Sequence, residues 1–139
     1  VFAPAAAHVA GGVDPSALGP PVADLVALTL PQPAVQPGRV AGEVLAVDGF
    51  GNLQLNVRRD DLERAGARPG APVTVTVGAA VRQASLCTTF ADVAAGGLAL
   101  LEDSFGRMAL VVNAGDAAGQ LGAGPGDPVR IELAGPQAD

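Results

Sequence analysis

Pro72-Val73-Thr74-Val75-Thr76-Val77 is the stretch on which the fold turns. Valine alternates with threonine, so Val73, Val75 and Val77 share one face and Thr74 and Thr76 the other. That is the period of a strand with one buried side, and β-branched residues suit such a pleated, half-buried surface. Working outward, 53–57 repeats the alternation, with Leu53, Leu55 and Val57 opposite Gln54 and Asn56. It pairs with a strand over 40–47 through the turn Asp48-Gly49-Phe50-Gly51-Asn52, forming a hairpin. Runs at 81–89, 98–102, 107–112 and 129–133 bring the total to about seven strands. Spacing this regular predicts a mainly β domain, a small antiparallel barrel or sandwich.

Helices are few. Asp60 followed by Glu63 has capping-box spacing, which predicts a short helix over 61–65 closed by Gly66. One helical turn is expected over 116–121. Near the start, 3–10 is small and helix-compatible, Pro4 is acceptable in a first turn, and Gly11-Gly12 stop the helix. Pro20, Pro21, Pro31, Pro33 and Pro37 exclude a regular helix or a central strand over 20–38. That segment reads as a connector, extended around 25–30, and the compact domain begins near Arg39. No internal repeat is evident.

The 139 residues make room for one ordinary domain, 49% of them apolar. Gly (19) and Pro (12) are abundant but punctuate apolar runs, and the Val, Leu and Ala content suffices for a core. The longest apolar runs fall far short of the ~20 residues of a membrane span. Fourteen acidic residues against eight basic ones, all Arg, give a net charge of −6, which disfavours nucleic acid as a partner. One cysteine, Cys87, excludes an internal disulfide and a Cys-based zinc site and fits a reducing compartment. The chain opens on Val1, which reads as a piece of something longer.

Side-chain chemistry is sparse. His8 is the only histidine, so no His-based metal cluster or Ser-His-Asp system can be assembled from this chain. Cys87, mid-strand and without a basic neighbour, reads as a small core residue. Gly122-x-Gly124-x-Gly126 precedes Asp127-Pro128 and a strand, so it is a turn rather than a phosphate loop. Two segments offer more. In 48–52 a carboxylate able to hold an ammonium, a phenyl ring able to stack on a base, and a carboxamide able to pair with an adenine edge share one tight turn. The competing reading is a Gly/Asn hairpin with a buried Phe. Glu102-Asp103-Ser104-Phe105-Gly106-Arg107, a strand, and Asn113-Ala114-Gly115 would put two contacting loops on one rim of a barrel; here too a plain hairpin competes.

Several segments together carry a resemblance: Phe2-Ala3-Pro4-Ala5-Ala6-Ala7-His8, Leu18-Gly19-Pro20-Pro21-Val22, the Asp48-to-Asn52 turn, Thr89-Phe90-Ala91-Asp92-Val93, the Ser104-to-Arg107 turn, and the run from Asn113 to Ala118. In this order they resemble the C-terminal half of the S-adenosyl-L-methionine (SAM) hydroxide adenosyltransferase family, relatives of the SAM-dependent fluorinase and chlorinase. The resemblance implies residues 1–38 as the tail of an N-terminal α/β domain plus a Pro-rich connector, and 39–139 as a β-barrel-like SAM/adenosine-binding domain. It implies hydrolysis of SAM to adenosine and L-methionine in a cytoplasmic homotrimer, with the substrate between the N-terminal α/β half of one subunit and the C-terminal half of its neighbour. SAM is then the substrate, and no cofactor or metal is expected. By position, Asp48 matches a carboxylate contacting the methionine ammonium, with Ser104 nearby. Phe50 and Phe90 match aromatics around the adenosine, Asn52 the adenine-contacting amide, and Asn113 and Ala114 a backbone segment at the adenine edge. Phe105 stands where the halogenating relatives have Arg, and the Asp-to-Phe turn is one residue shorter than theirs; both favour hydroxide as nucleophile. The family's catalytic Asp-Arg-His set lies in the N-terminal half, so no catalytic residue is expected in this chain, which alone should be inactive. A SAM-dependent halogenase and a non-catalytic adenosine-binding or assembly module are the alternatives.

Overall fold

The computed structural model describes residues 1–27 and 30–134. In chain order its elements are α1 (Phe2–Ala10), a 3-10 turn at Pro15–Leu18, β1 (Ala34–Gln36), β2 (Arg39–Val47), β3 (Leu53–Leu55), α2 (Arg59–Ala65), β4 (Pro72–Val77), β5 (Ala80–Leu86), a 3-10 turn at Phe90–Asp92, β6 (Leu98–Glu102), β7 (Met108–Val112), α3 (Ala117–Leu121) and β8 (Pro128–Leu133). The expected extended run around 25–30 falls partly on residues 28 and 29, outside the described residues.

Alternation decides the architecture as the sequence predicts. Val73, Val75 and Val77 are buried and Thr74 and Thr76 are not. Leu53, Leu55 and Val57 face the same interior, with Val40, Val44, Leu100, Leu110, Met108 and Ile131. Pairing runs β2-β3-β7-β6-β5-β4-β8 and returns from β8 to β2, a closed barrel of seven strands. Every pairing in the ring is antiparallel except β5–β6, which is parallel and only two residues long, Ser85 opposite Ala99 and Leu86 opposite Leu100. The crossover at 87–97 that this pairing requires carries the second 3-10 turn.

The eighth strand, β1, lies inside the Pro-rich connector and pairs antiparallel with β2 over Ala41 to Arg39. Proline tolerates this place because β1 is a three-residue edge strand. Val35 packs against the core, and the buried Asn56 ties the connector to the barrel. Its Nδ2 donates to the Pro31 carbonyl (3.0 Å), and its Oδ1 accepts from the Glu43 N–H (2.8 Å). Gly42 leaves room for that amide, since a Cβ there would overlap Asn56 Oδ1 and Val57 Cγ2.

Helix α2 starts two residues earlier than expected. The acid that reaches back is Asp61, whose Oδ2 accepts from the Arg58 N–H at 2.7 Å, not Glu63 reaching to Asp60. Asp60 instead lies in the first turn, and Gly66 closes the helix in the left-handed conformation as predicted. Helix α3 forms at its predicted place, Asp116 capping it through Oδ1 to the Gly119 N–H. Helix α1 buries no residue, so His8 is exposed.

Candidate functional site

Strand β7 is buried along its whole length, which a barrel strand with one solvated side would not be. Its inward residues Met108, Leu110 and Val112 belong to the core. Its outward residues Ala109 and Val111 form a second apolar cluster on the barrel's outer wall, with Ala99, Leu101 and Cys87, under Val93 of the 87–97 crossover. Burial and the nearby Asp92 carboxylate push the Cys87 thiol up from its ordinary value, leaving an inert core sulfur.

Above this wall stand two turns of the same construction. In the first, the Asp48 N–H donates to the Asn52 carbonyl (3.1 Å) and the Gly51 N–H to the Asp48 carbonyl (3.1 Å). Asp48 Oδ1 accepts from the N–H groups of Phe50 (2.8 Å) and Asn52 (3.0 Å). In the second, the Asp103 N–H donates to the Arg107 carbonyl (2.8 Å) and the Gly106 N–H to the Asp103 carbonyl (3.1 Å). Asp103 Oδ1 accepts from the N–H groups of Phe105 (2.8 Å) and Arg107 (3.0 Å). Asp48-x-Phe50-Gly51 and Asp103-x-Phe105-Gly106 are thus one repeated four-residue motif, Asp-x-Phe-Gly, where the sequence shows no repeat of strand length. The shared part is only a turn, without the strands around it, and so escapes a search for larger periods.

The fifth position separates the twins. Asn52 turns its Nδ2 to Asp48 Oδ2 (2.8 Å), whereas Asp103 Oδ2 is buried without a hydrogen-bond partner. Desolvation pushes the Asp48 carboxyl up, but hydrogen bonds from Asn52, Phe50 and Gly51 more than offset it, so the group sits below the ordinary carboxylate value. Helix α3 holds the first turn from behind. The Ala118 N–H donates to the Gly51 carbonyl (2.9 Å), and a Cβ on Gly51 would overlap the Asp116 carboxylate.

Two adjoining clefts run along this outer wall. One, of about 450 Å³, is lined by Phe50, Asn52, Phe90, Val112, Ala114 and Gly115. The other, of about 340 Å³, shares Phe50, Asn52 and Phe90 and continues past Asp48 and Gln54 to Asp103 and Ser104. Phe90 is set by the carboxylate of Asp92, whose Oδ2 accepts from the N–H groups of Thr88 and Thr89 (both 2.9 Å). Ala114 is the one non-glycine residue with positive φ (+56°) among the described residues. It holds a left-handed conformation that costs about 1–2 kcal/mol, and neither its N–H nor its carbonyl enters a hydrogen bond among the described residues.

Of the residues singled out from sequence, Asp48, Phe50, Asn52, Phe90, Ser104 and Ala114 therefore border one continuous groove. Phe105 and Asn113 do not. Phe105 is 75% exposed at the tip of its turn. Asn113 is spent internally: its Nδ2 donates to the Val93 carbonyl (2.8 Å), its N–H to that of Gly97 (3.0 Å), and its own carbonyl accepts from the Gly96 N–H (2.7 Å). The competing hairpin with a buried Phe fails, because Phe50 is 82% exposed. The expectation that 102–107 and 113–115 share a rim is corrected. They flank β7 at its two ends, about 16 Å apart at strand rise, and the groove joins opposite rims along the wall. Gln54 and Val111 also line it, on the outer face where alternation puts them, and Val112 borders it at the end of β7.

What such a groove can do follows from its parts. Phe50 and Phe90 offer ring faces to a planar heterocycle, Asn52 keeps its Oδ1 as an acceptor, and Ala114 offers unspent backbone groups. Asp48 Oδ2 retains a lone pair for a cation. Among the described residues no group of three or more His, Cys, Asp or Glu side chains could hold a metal. The fold and groove define a small closed barrel with an elongated, aromatic-flanked cleft on its outer wall.

Residues 42–130 match the family described as the SAM hydroxide adenosyltransferase C-terminal domain, and the chain belongs to that family. It is 38% identical over 133 residues to a protein of Salinispora tropica named (R)-S-adenosyl-L-methionine hydrolase, and 41% identical to one of the same name from Salinispora arenicola. Each alignment covers 94% of this chain and 48% of the relative, so the chain spans about half the length of these curated relatives. Among solved structures it is similar to an uncharacterized conserved protein from Thermotoga maritima (34% identity, TM-score 0.78) and a conserved hypothetical protein from Thermus thermophilus (36%, TM-score 0.60). Both matches cover 94% of this chain and 50% of the other.

Proposed function

We propose that this chain is the substrate-binding C-terminal half of a SAM hydrolase that converts SAM and water to adenosine and L-methionine. One observation carries the reading: Asp48, Phe50, Asn52, Phe90, Ser104 and Ala114, from four separate stretches of chain, border a single groove. The adenine stacks by Phe50 and Phe90, with Asn52 Oδ1 accepting from its amino group and the Asn113-Ala114 turn at its edge through Ala114. Asp48 accepts the methionine ammonium, with Ser104 beside it.

In the reaction, water oxygen forms a bond to the ribose 5′ carbon as the carbon–sulfur bond breaks. The electron pair leaves with methionine sulfur, and the proton of the attacking water passes to solvent. The sulfonium charge is neutralised in that step, so the residues of this chain act by fixing the 5′ carbon in line for attack and excluding bulk water. The chain contributes binding groups and no catalytic residue; an N-terminal α/β half supplies the environment of the nucleophile. The assembly proposed is a cytoplasmic homotrimer in which that half from a neighbouring subunit covers the groove. The open outer wall and the exposed Phe50 and Phe105 rings support this reading. SAM is the substrate, and no cofactor or metal is proposed. Phe105 in place of arginine supports hydroxide over halide.

The test is incubation of the full-length protein with SAM, following adenosine and methionine by chromatography in chloride-containing and chloride-free buffer. Equal amounts of the two products, independent of halide, are expected. No adenosine, or a 5′-halogenated nucleoside, would overturn the proposal.

A further inference from the structure

The 87–97 crossover, which brings Phe90 to the groove, is fastened to the barrel at few places. Its 3-10 turn is self-contained: the Asp92 carboxylate accepts from the Thr88 and Thr89 N–H groups, and the Val93 N–H donates to the Phe90 carbonyl (3.4 Å). The Phe90 ring is exposed, so its own packing does not hold it. Beyond Cys87, whose N–H donates to the Leu100 carbonyl, every hydrogen bond from the crossover to the rest of the described residues goes to Asn113. The Asn113 N–H donates to the Gly97 carbonyl (3.0 Å), its carbonyl accepts from the Gly96 N–H (2.7 Å), and its Nδ2 donates to the Val93 carbonyl (2.8 Å).

The bonds to Gly97 and Gly96 use backbone groups and need no particular side chain at 113. The bond to Val93 needs a short side chain with a donor. Val93 directly follows the turn that carries Phe90, and it packs on the outer-wall cluster. Asn113 itself stands between Val112 and Ala114, which border the same cleft as Phe90, but it turns its amide away from that cleft to the crossover. An Asp at 113 would set an acceptor against the Val93 carbonyl, and an Ala would leave that carbonyl without its partner.

We propose that Asn113 is a positioning residue: its side-chain amide clasps the crossover to the end of β7 and so sets the Phe90 ring at the groove before a ligand arrives. This rests on the proposed adenosine-stacking role of Phe90. The amide touches no ligand and acts through the ring. Holding the crossover removes loop positions in which the ring has left the cleft, so binding does not have to order it. The gain belongs to binding and is equal in ground and transition states, so it lowers KM and leaves kcat as it is.

The experiment is a double-mutant cycle on the full-length protein, read by adenosine calorimetry, by steady-state kinetics with SAM and by amide exchange without ligand. Phe90→Ala alone should weaken adenosine about five- to hundred-fold, the worth of one stacked base. Asn113→Asp alone should weaken it about two- to tenfold, the net value of one hydrogen bond. The same variant should raise KM for SAM by a like factor, leave kcat unchanged and speed exchange of the Val93 and Gly96 amides. Added to Phe90→Ala, it should cost no further affinity, because the ring through which it acts is gone. Equal losses in the two backgrounds would overturn the proposal, as would unchanged exchange or unchanged adenosine affinity in Asn113→Asp. Asn113→Ala, which brings in no charge, takes the same place in the cycle with the same expectations if Asn113→Asp does not fold. If the wild type binds neither SAM nor adenosine, the SAM-binding reading itself falls, and exchange alone still decides whether the amide holds the crossover.

Discussion

Replacing Asp48 by Asn separates a residue that builds a turn from one that holds a ligand. Asn can reproduce the turn: its Oδ1 would still accept from the Phe50 and Asn52 N–H groups, now 2.8 and 3.0 Å away. What it cannot reproduce is Oδ2, which accepts from Asn52 Nδ2 at 2.8 Å and is left with capacity for one more donor. The stability change should therefore be small, about 1 kcal/mol or less, the net value of one hydrogen bond. SAM affinity should fall by about 1.5–3 kcal/mol, the value of a hydrogen bond to a charged group, which is roughly ten- to hundred-fold. The new amide in Asp48→Asn would also set its NH₂ against that of Asn52, which Asn52 relieves by flipping and so presenting nitrogen instead of oxygen to the groove. Adenosine distinguishes the two routes. Its affinity stays constant if the lost partner is the ammonium and drops with that of SAM if Asn52 has flipped. Calorimetry on full-length wild type and variant, with thermal melts of both, gives all the quantities. Unchanged SAM affinity would return Asp48 to a turn-building role and leave the methionine end without its anchor.

Asn52→Ala in the full-length enzyme should raise KM for SAM with little change in kcat, because an adenine contact acts on ground and transition states alike; steady-state kinetics showing the reverse split would contradict it. Gly51→Ala and Gly106→Ala occupy equivalent positions of the twin turns at φ +82° and +72°, so both should lose about 1 kcal/mol or more. Only at Gly51 would the new methyl meet the Asp116 carboxylate, so urea melts should rank Gly51→Ala clearly below Gly106→Ala. Asp48 and Asp92 both sit below the ordinary carboxyl value of 3.8 in the folded chain. For Asp92 the cause is the pair of N–H groups of Thr89 and Thr88. Groups lowered by folding stabilise fully above that value and lose their contribution as pH falls through the lowered one. The melting temperature should therefore decline on the acid side below about pH 4, and Asp92→Asn should flatten that decline.

Where burial followed a period, the sequence was readable. Val73, Val75 and Val77 faced inward as their alternation required, and Gly66 closed α2 because only a left-handed residue ends a helix that way. What local pattern cannot carry is partner choice. The β5–β6 pair is parallel because of where the 87–97 crossover lands, and nothing in either strand encodes that. The short β1 escaped notice for a different reason: proline-rich sequence argues against a central strand, and an edge strand of three residues leaves almost no period to see. The candidate groove was legible in part through residue chemistry, since Asp48, Phe50 and Asn52 of one turn border it. The Asn113-Ala114 backbone segment divides: Asn113 spends its N–H, its carbonyl and its side-chain amide within the chain, and only Ala114 borders the groove.

The two-rung junction of β5 with β6 is one of the two shortest seams of the barrel wall, the other joining β3 to β7, and the only parallel one. Ala80 to Ala84 pair with β4 on one side and have no strand on the other, and only Ser85 and Leu86 reach across to β6, extended by the Cys87 N–H to the Leu100 carbonyl. Amide protons there should exchange with solvent sooner than those of β7, which is buried on both faces and paired with β6 along its length. The loop that bridges this seam also carries Phe90, one of the two rings over the groove. Exchange faster at this seam than in β7 would place the mobility of the cleft on the Phe90 side, whereas α3 ties the Asp48 turn through the Ala118 N–H to the Gly51 carbonyl.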